Sequence, residues 1–510
     1  MMRLGDLLSS LSPVRLPSVG LGDEIQSLTS DSRTAARGSL FVCLRGEERD
    51  GHDYAAAAYE RGARAFVCEY PPKDLPSDAA VIFVPDARVA LAHLAAAFYG
   101  HPERGLILIG LTGTKGKTTT ACMICHLLSE ARVPVGYIGS GGARYAGICT
   151  RTENTTPDAL TLYAILADMR RRGLRAAVIE VSSQALATGR VVGLPFPITI
   201  FTNLAPDHIG EGEHPDFAHY RSQKARLFSE HEARVMIVNA DDGSTPFMLA
   251  GASAHSVISV STRRTDTDLY ATAIREKRNE HNLGCGFRLH SEEGALPVSL
   301  ALPGACNVEN ALLALAAARA YLREYEGRLD TDYRTLAPAL DSLSVAGRFE
   351  RVTTVLPEVD FVIDYAHNGY SLAAAIEALR AFSPTRLVCL FGSVGARTYS
   401  RRTELARAAS AADFCIVTTD NPNTEPPEDT MRELCRVLDE EGCEYIAIPD
   451  RREAIRYALR HARAGDLVLL AGKGHEDYQL VGGRRLPFSE REILVEEAAA
   501  LPLAPLVFRR

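Results

Sequence analysis

No run of about 18 or more apolar residues occurs in this chain, so no segment reads as a membrane-spanning helix. The N-terminus lacks the basic-then-apolar pattern of a secretory signal, which sets the expectation of a cytoplasmic protein without membrane insertion. A cysteine framework is missing too. The 11 Cys are scattered, and Cys389 and Cys415 sit inside apolar runs, as suits free thiols in a reducing compartment. The single C-x-x-C, Cys122 and Cys125, lies in a predicted helix with no second pair nearby, so helix packing outweighs a metal or redox site there. Positive charge is also scarce: a formal net charge of -8 argues against a general nucleic-acid coat. Small anionic ligands remain possible, since they need only a local cluster of cations and backbone N–H groups. There is no internal repeat and no low-complexity tract.

What is present is ordinary globular composition, 46% hydrophobic and 24% charged, over 510 residues. That length exceeds what one hydrophobic core organises, so about two to four domains are expected. Three regions can be read. Residues 1–102 mix short strands (Ser39–Leu44, Ala65–Glu69, Val81–Val84) with helices at Tyr54–Arg61 and Ala87–Tyr99, ending at a linker, His101-Pro102. Residues 103–345 open with the strand run Leu106–Leu111, a Gly/Thr loop and a helix through Leu128. Strand-like runs Ala176–Val181, Ile198–Leu204 and Val235–Asn239 follow, separated by helices, which predicts a mainly parallel sheet. Residues 252–300 alternate polar and apolar and predict an antiparallel insertion. From 346 to 510 the strands Phe361–Tyr365, Leu387–Phe391, Phe414–Thr418 and Leu467–Leu470 alternate with helices as in a doubly wound, Rossmann-like sheet. The fold class is α/β throughout.

The loop Gly110-Leu-Thr-Gly-Thr-Lys-Gly-Lys-Thr-Thr-Thr120 leaves a strand and enters a helix. Its glycines let backbone N–H groups face a phosphate, and the helix N-terminus adds a favourable dipole. Lys117 suits the β/γ-phosphates and Thr118 a Mg²⁺ ion. The spacing departs from strict G-x-x-x-x-G-K-T: Gly113 stands three before Gly116, and Gly110 six before. A kinase or switch GTPase would share such a loop, so it implies a nucleotide and no more. Glu180 ends the apolar strand Ala-Val-Ile-Glu, where α/β sheets present ligands, and its hard carboxylate suits Mg²⁺; a helix-capping acid is the alternative. Phe217, Tyr220, Lys224, Leu227 and Phe228 share one helical face. A lysine in that stripe is costly unless it is paired, modified, or snorkels its head into water.

Gly113-Thr-Lys-Gly-Lys-Thr118 closely resembles the ATP loop of the Mur ligases, which join amino acids to peptidoglycan precursors. Further motifs agree in order: Asp31-Ser-Arg33, Gly51-His52, Asn154-Thr-Thr-Pro-Asp158, Glu180-Val-Ser-Ser183, Phe201-Thr-Asn-Leu204 with Asp207-His208, and Tyr220 to Phe228. Asn307 with Asn310, Gly347-Arg-Phe-Glu350, Asp364-Tyr-Ala-His367, Asp420-Asn-Pro422 and Gly472-Lys-Gly-His-Glu476 complete the series, which covers nearly the whole chain. The resemblance implies three domains: a small N-terminal one for the UDP end, a central P-loop ATPase, and a C-terminal one receiving the amino acid. It implies ATP, two Mg²⁺ sites and an acyl-phosphate mechanism. The substrates would be a UDP-N-acetylmuramoyl-dipeptide and a free diamino acid, joined at the D-glutamate carboxylate by a monomeric enzyme in peptidoglycan synthesis.

Site residues carry over from the same motifs. Gly113, Thr114, Lys115, Gly116, Lys117, Thr118, Thr119, Asn307, Arg348 and His367 would meet ATP. Thr118, Glu180, His208 and a CO₂-derived carbamate on Lys224 would hold metal, with Lys117, Lys224 and His208 catalytic. Ser30, Ser32 and Arg33 would take the UDP part, and Thr155, Thr156, Ser183 and Arg190 the peptide end. Arg397, Asp420, Asn421, Asn423, Gly472 and Glu476 would take the amino acid. One departure stands out: diaminopimelate-adding relatives read Asp-Asn-Pro-Arg, and this chain has Asn423 there. Losing a guanidinium removes the natural partner of a distal carboxylate, which tips the expectation toward lysine or ornithine over meso-diaminopimelate. Arg397 remains as a candidate cation, and Glu476 suits any distal ammonium. Two alternatives stay open: another amino-acid ligase of the superfamily, such as a folylpolyglutamate synthetase, and a non-catalytic nucleotide-binding regulator.

Overall fold

A computed structural model describes residues 2–11, 16–17, 19–46, 49–207, 209–210, 213–279, 282–395 and 399–501. They form two compact units. The first takes the chain through Tyr270 together with Ser291–Glu293 and Asn310–Leu336; the second takes Ala271–His290, Gly294–Glu309 and the chain from Ala337.

The first unit holds two larger sheets, besides a short antiparallel pairing of Met2–Arg3 with Glu24–Ile25. Strands Ser27–Thr29, Ser39–Val42, Ala65–Cys68 and Ala80–Phe83 pair in sequence order and all in parallel. The helix Ala87–Phe98 packs its alanine and leucine face against this layer, and Asp86 caps it by accepting from the N–H groups of Arg88 and Val89. The larger sheet runs in the order Ile148–Thr150, Gly142–Tyr145, Val135–Gly139, Ala176–Glu180, Ile107–Thr112, Ile198–Phe201, Ala233–Asn239, Ala254–Ser261. Its six strands from Val135–Gly139 onward are parallel, and the first two form an antiparallel edge. Pairing Glu180 with Leu111 and Phe201 with Thr112 brings three strand ends to one edge, where the phosphate loop starts.

One expectation needs correcting here. Ala254–Ser261, read as the start of an antiparallel insertion, pairs in parallel with Ala233–Asn239. Polar–apolar alternation reports a half-exposed strand and says nothing about direction. Direction follows from the crossover, here the helix Thr245–Ala250.

In the second unit the order is Glu350–Val352, Asp360–Asp364, Asp466–Ala471, Arg386–Phe391, Phe414–Val417, Tyr445–Ala447, parallel except for the first strand. Successive side chains leave opposite faces. Leu387, Cys389 and Phe391 meet residues of the helices Gly369–Arg380, Tyr399–Ala409 and Pro427–Glu440. Val388 and Leu390 meet those of Arg451–His461 and Glu490–Ala499. With helices on both faces the strands are buried on both, which explains their unbroken apolar runs.

Candidate functional site

The phosphate loop is held by its neighbours rather than by its own sequence. Thr114 N–H donates to the Asn203 carbonyl at 2.8 Å, and Lys115 N–H to Asn203 Oδ1 at 2.9 Å. Asn203 Nδ2 and Thr202 Oγ1 both donate to the Lys115 carbonyl. Gly113 and Gly116 have φ of 152° and 82°, and a Cβ on them would lie 2.0 Å from Thr202 Oγ1 and 2.4 Å from Asn310 Oδ1. Only glycine fits both positions. The helix Lys117–Glu130 then begins at Gly116 without a side-chain cap, which leaves the loop facing its N-terminus.

Three lysines converge on this loop. Lys117 Nζ curls back to the carbonyls of Gly113 and Thr114 at 2.8 and 3.1 Å. Lys115 pairs with Asp207 at 3.0 Å. Lys224, on the helix Phe217–Ser229, donates to the Gly113 carbonyl at 2.9 Å and is only 2% exposed. It does not snorkel. Burial, then the cations of Lys117 and Lys115, push its amine well below the usual lysine range, against a smaller pull from Asp207. Thr114 Oγ1 and Tyr220 OH bond at 3.1 Å, tying that helix to the loop. Thr118 is half-buried and Thr119 buried in the helix's first turn.

Glu180 is fully buried, with Tyr137 OH donating to Oε1 at 2.5 Å and Ser140 Oγ to Oε2 at 3.4 Å. It is not a helix cap: that work falls to Ser182, which accepts from Ala185 N–H. Gly139 makes room, since a Cβ there would lie 2.2 Å from Glu180 Oε1. Thr156 Oγ1 donates to the Glu180 carbonyl and accepts from Ser182 N–H, so it braces the strand end. Thr155 bonds Ser140, Arg190 donates to the Thr156 carbonyl, and Ser183 bonds His214 Nε2 at 2.8 Å. The peptide-end residues thus gather around Glu180. Ser30, Ser32 and Arg33 lie elsewhere in the same unit, where Arg33 is 84% exposed on its side chain and pairs with Asp31. Arg33 holds the Asp31 carboxyl down at about 2.

In the second unit a separate cluster forms at the strand ends. Arg348 lies over the Tyr365 ring at 5.0 Å, and Tyr365 also packs against His367 and His475. Arg348 Nε is buried without a hydrogen-bond partner among the described residues. Asn421 Nδ2 donates to Glu476 Oε2 at 3.0 Å, and a Cβ on Gly472 would lie 2.7 Å from Asp420 Oδ2. Asn423 is exposed at φ 56°, its N–H on the Leu480 carbonyl and its carbonyl accepting from Gly482 N–H. Asn307 is buried near the start of the helix Ala305–Tyr325, donating to the Pro303 carbonyl. His208 and Arg397 lie outside the described residues.

Sequence reasoning missed Tyr137, Asn203, His214 and Lys473. Tyr137 and Asn203 sit inside strand-like or motif stretches that carry no spacing signal of their own. Cys43, His52 and Cys68 place potential metal donors within 4.8 Å of one another. Both His52 nitrogens are engaged, however, by Asp50 and by Glu69 N–H, so the trio reads as packing.

A phosphate loop flanked by a buried carboxylate and a buried lysine is an arrangement that suits phosphoryl-transfer chemistry. Comparison with known proteins narrows this. Residues 24–99 match the Mur ligase family catalytic domain, 111–318 the Mur ligase middle domain, and 347–474 the Mur ligase glutamate ligase domain. Relatives named UDP-N-acetylmuramoyl-L-alanyl-D-glutamate–2,6-diaminopimelate ligase include one from Chlorobaculum tepidum, 37% identical with 96% of each chain covered. Another, from Geobacillus kaustophilus, is 37% identical with 96% of this chain and 98% of the relative covered. A solved structure of an enzyme so named aligns with TM-score 0.68 and 28% identity over 98% of this chain and 99% of the other. The chain belongs to the Mur ligase family, and it is a ligase.

Proposed function

We propose that this chain joins 2,6-diaminopimelate to the D-glutamate carboxylate of UDP-N-acetylmuramoyl-L-alanyl-D-glutamate at the expense of ATP. The carrying observation is Lys224, buried against the phosphate-loop carbonyl of Gly113, where burial pushes its amine well below the usual lysine range. A neutral amine can add CO₂, releasing a proton and leaving a carbamate, which turns the position into an anionic oxygen ligand. With Thr118, Glu180 and His208 it would hold Mg²⁺, and bound Mg²⁺ supplies neutralisation of phosphate charge. The donor set fits: Glu180 is a hard carboxylate enclosed at the sheet edge.

The chain's own groups account for the rest. Loop N–H groups of residues 113–116 and the Lys117 ammonium meet the β/γ-phosphates. A glutamyl carboxylate oxygen attacks the γ-phosphorus, ADP leaves, and an acyl phosphate results. The amine then attacks the acyl carbon, and the tetrahedral adduct expels phosphate as the amide forms. Thr155, Ser183 and Arg190 line the approach of the peptide, while Thr156 fixes the Glu180 strand end. Ser30, Ser32 and Arg33 take the uridine diphosphate part. Arg348, His367 and Asn307 are nucleotide contacts by family resemblance, and Arg348 Nε, without a hydrogen-bond partner among the described residues, suits an anion. Asp420, Asn421, Gly472 and Glu476 receive the amino acid.

The relatives' name, a 2,6-diaminopimelate ligase, supports diaminopimelate over lysine or ornithine. Asn423 favours the second reading, since a neutral amide offers a weaker hold on a distal carboxylate. A panel of meso-diaminopimelate, lysine and ornithine, each with ATP and the UDP-dipeptide, decides between them. Phosphate release with diaminopimelate alone supports the proposal, and release with lysine or ornithine alone overturns it.

A further inference from the structure

Lys473 has no part in the reading above, yet its side chain is completely enclosed beside the amino-acid residues, with 0% exposure. A lysine sealed from water must be matched by acceptors or lose its charge. It is matched: Nζ donates to Glu476 Oε2 at 2.6 Å and to Asn421 Oδ1 at 2.9 Å, with Asp420 Oδ1 at 3.7 Å. The Tyr478 ring closes the remaining side at 5.2 Å.

These bonds dictate the geometry around them. Asn421 Oδ1 accepts from Lys473 and from Leu480 N–H, which forces Nδ2 toward Glu476 Oε2. Oε2 therefore receives two donors and is saturated. Oε1 keeps one long bond, from Tyr365 OH at 3.4 Å. Asp420 Oδ1, in a residue 2% exposed, has no hydrogen-bond partner among the described residues. The charges point the same way. Arg451 and Glu490 close on each other, both side chains fully buried. Arg451 also acts on Asp420, so Lys473 and Arg451 together face three carboxylates, Asp420, Glu476 and Glu490. The pocket is one positive charge short, and the two oxygens with spare capacity are those a cation would reach.

We infer that Lys473 is a positioning residue for the incoming amino acid. It saturates the inner oxygen of Glu476 and locks Asn421, leaving Glu476 Oε1 and Asp420 Oδ1 as the acceptors for a substrate ammonium. The inference rests on the reading of Asp420 and Glu476 as amino-acid residues. Burial already pushes the Asp420 carboxyl up, with Arg451 and Lys473 pulling the other way. Taking away the lysine charge therefore weakens the acceptor pair as well as its geometry.

Steady-state kinetics of the full chain test this with Lys473→Met, which removes charge and donors, and Lys473→Gln, which keeps a donor. Truncating one partner of a buried hydrogen-bonded charge pair costs enough to predict a rise of at least ~30-fold in KM for diaminopimelate in the Met variant. A smaller rise is expected for Gln, and KM for ATP and for the UDP-dipeptide should stay within about twofold. ADP formed in one turnover from ATP and UDP-dipeptide without amino acid should match the unsubstituted enzyme. An unchanged amino-acid KM overturns the inference, and so does an equal loss in all three KM values and in the single turnover, the mark of a merely structural lysine. If Lys473→Met does not fold, the Gln variant carries the same comparison. Failure of the unsubstituted enzyme to release phosphate in response to diaminopimelate overturns the functional reading itself, and this inference falls with it.

Discussion

A lysine ammonium moved out of water without a counter-ion is among the costlier things a fold can hold, and burial pushes the Lys224 amine well below the usual lysine range. The sign matters for function. A downward shift favours the neutral amine, the form that would add CO₂ in the proposed reading, relative to an exposed lysine. Lys224→Ala should reduce ligation at least ~100-fold, a loss of the size expected when support for a metal site is removed. Circular dichroism and nucleotide binding should stay intact; full activity would end the carbamate role. Asn423 poses the opposite question. Asn tolerates φ 56° better than most residues, so backbone conformation alone can favour it. Asn423→Arg should raise kcat/KM for diaminopimelate over lysine by about tenfold or more through a bidentate carboxylate contact, measured in competition. Lys224 was legible because helical spacing exposes a charge in an apolar stripe. Lys473 was not, because a loop has no period against which a residue can look out of place.

At the scale of elements, the loop's shape depends on its neighbours' side chains. Gly116→Ala would drive a Cβ into Asn310 Oδ1, which accepts from Thr120 Oγ1, and would strain a residue at φ 82°. A loss of about 1–3 kcal/mol is expected in denaturant unfolding, with weaker ATP binding. The strand–loop–helix unit and both parallel sheets could be read ahead of structure because buried parallel strands are unbroken apolar runs between helices. The direction of Ala254–Ser261 could not, since a half-exposed strand alternates whichever way it runs. The pair Arg451–Glu490 was equally hidden. It joins helices 451–461 and 490–499, and Arg451 also donates to the carbonyls of Thr419 and Ala471. Burial pushes the Glu490 carboxyl up, and Arg451 opposes it.

For the molecule as a whole, no helix among the described residues is long and apolar enough to cross a membrane. Acid stability should carry the mark of Glu497, which accepts from Arg452 and Arg456 and is held down at about 2 against an ordinary 4.5. A depressed carboxylate contributes stability above its unfolded value and loses it as pH falls through its folded one. Glu497→Gln should therefore lower the melting temperature at neutral pH, with the difference from the parent shrinking between pH 4.5 and about 2. The candidate residues were readable at the level of motifs because several sit at strand ends, as Glu180 does at the end of Ala176–Glu180. Which atoms answer to which substrate group was not, because side-chain bonds such as Thr156 to the Glu180 backbone depend on packing. The central claim is that ATP is turned over continuously only when a glutamyl carboxylate and an amine are both present. The measurement is phosphate release from ATP with the UDP-dipeptide, with diaminopimelate, with both, and with neither. Sustained release that requires both is predicted; sustained release with ATP alone or with either partner singly would contradict the account.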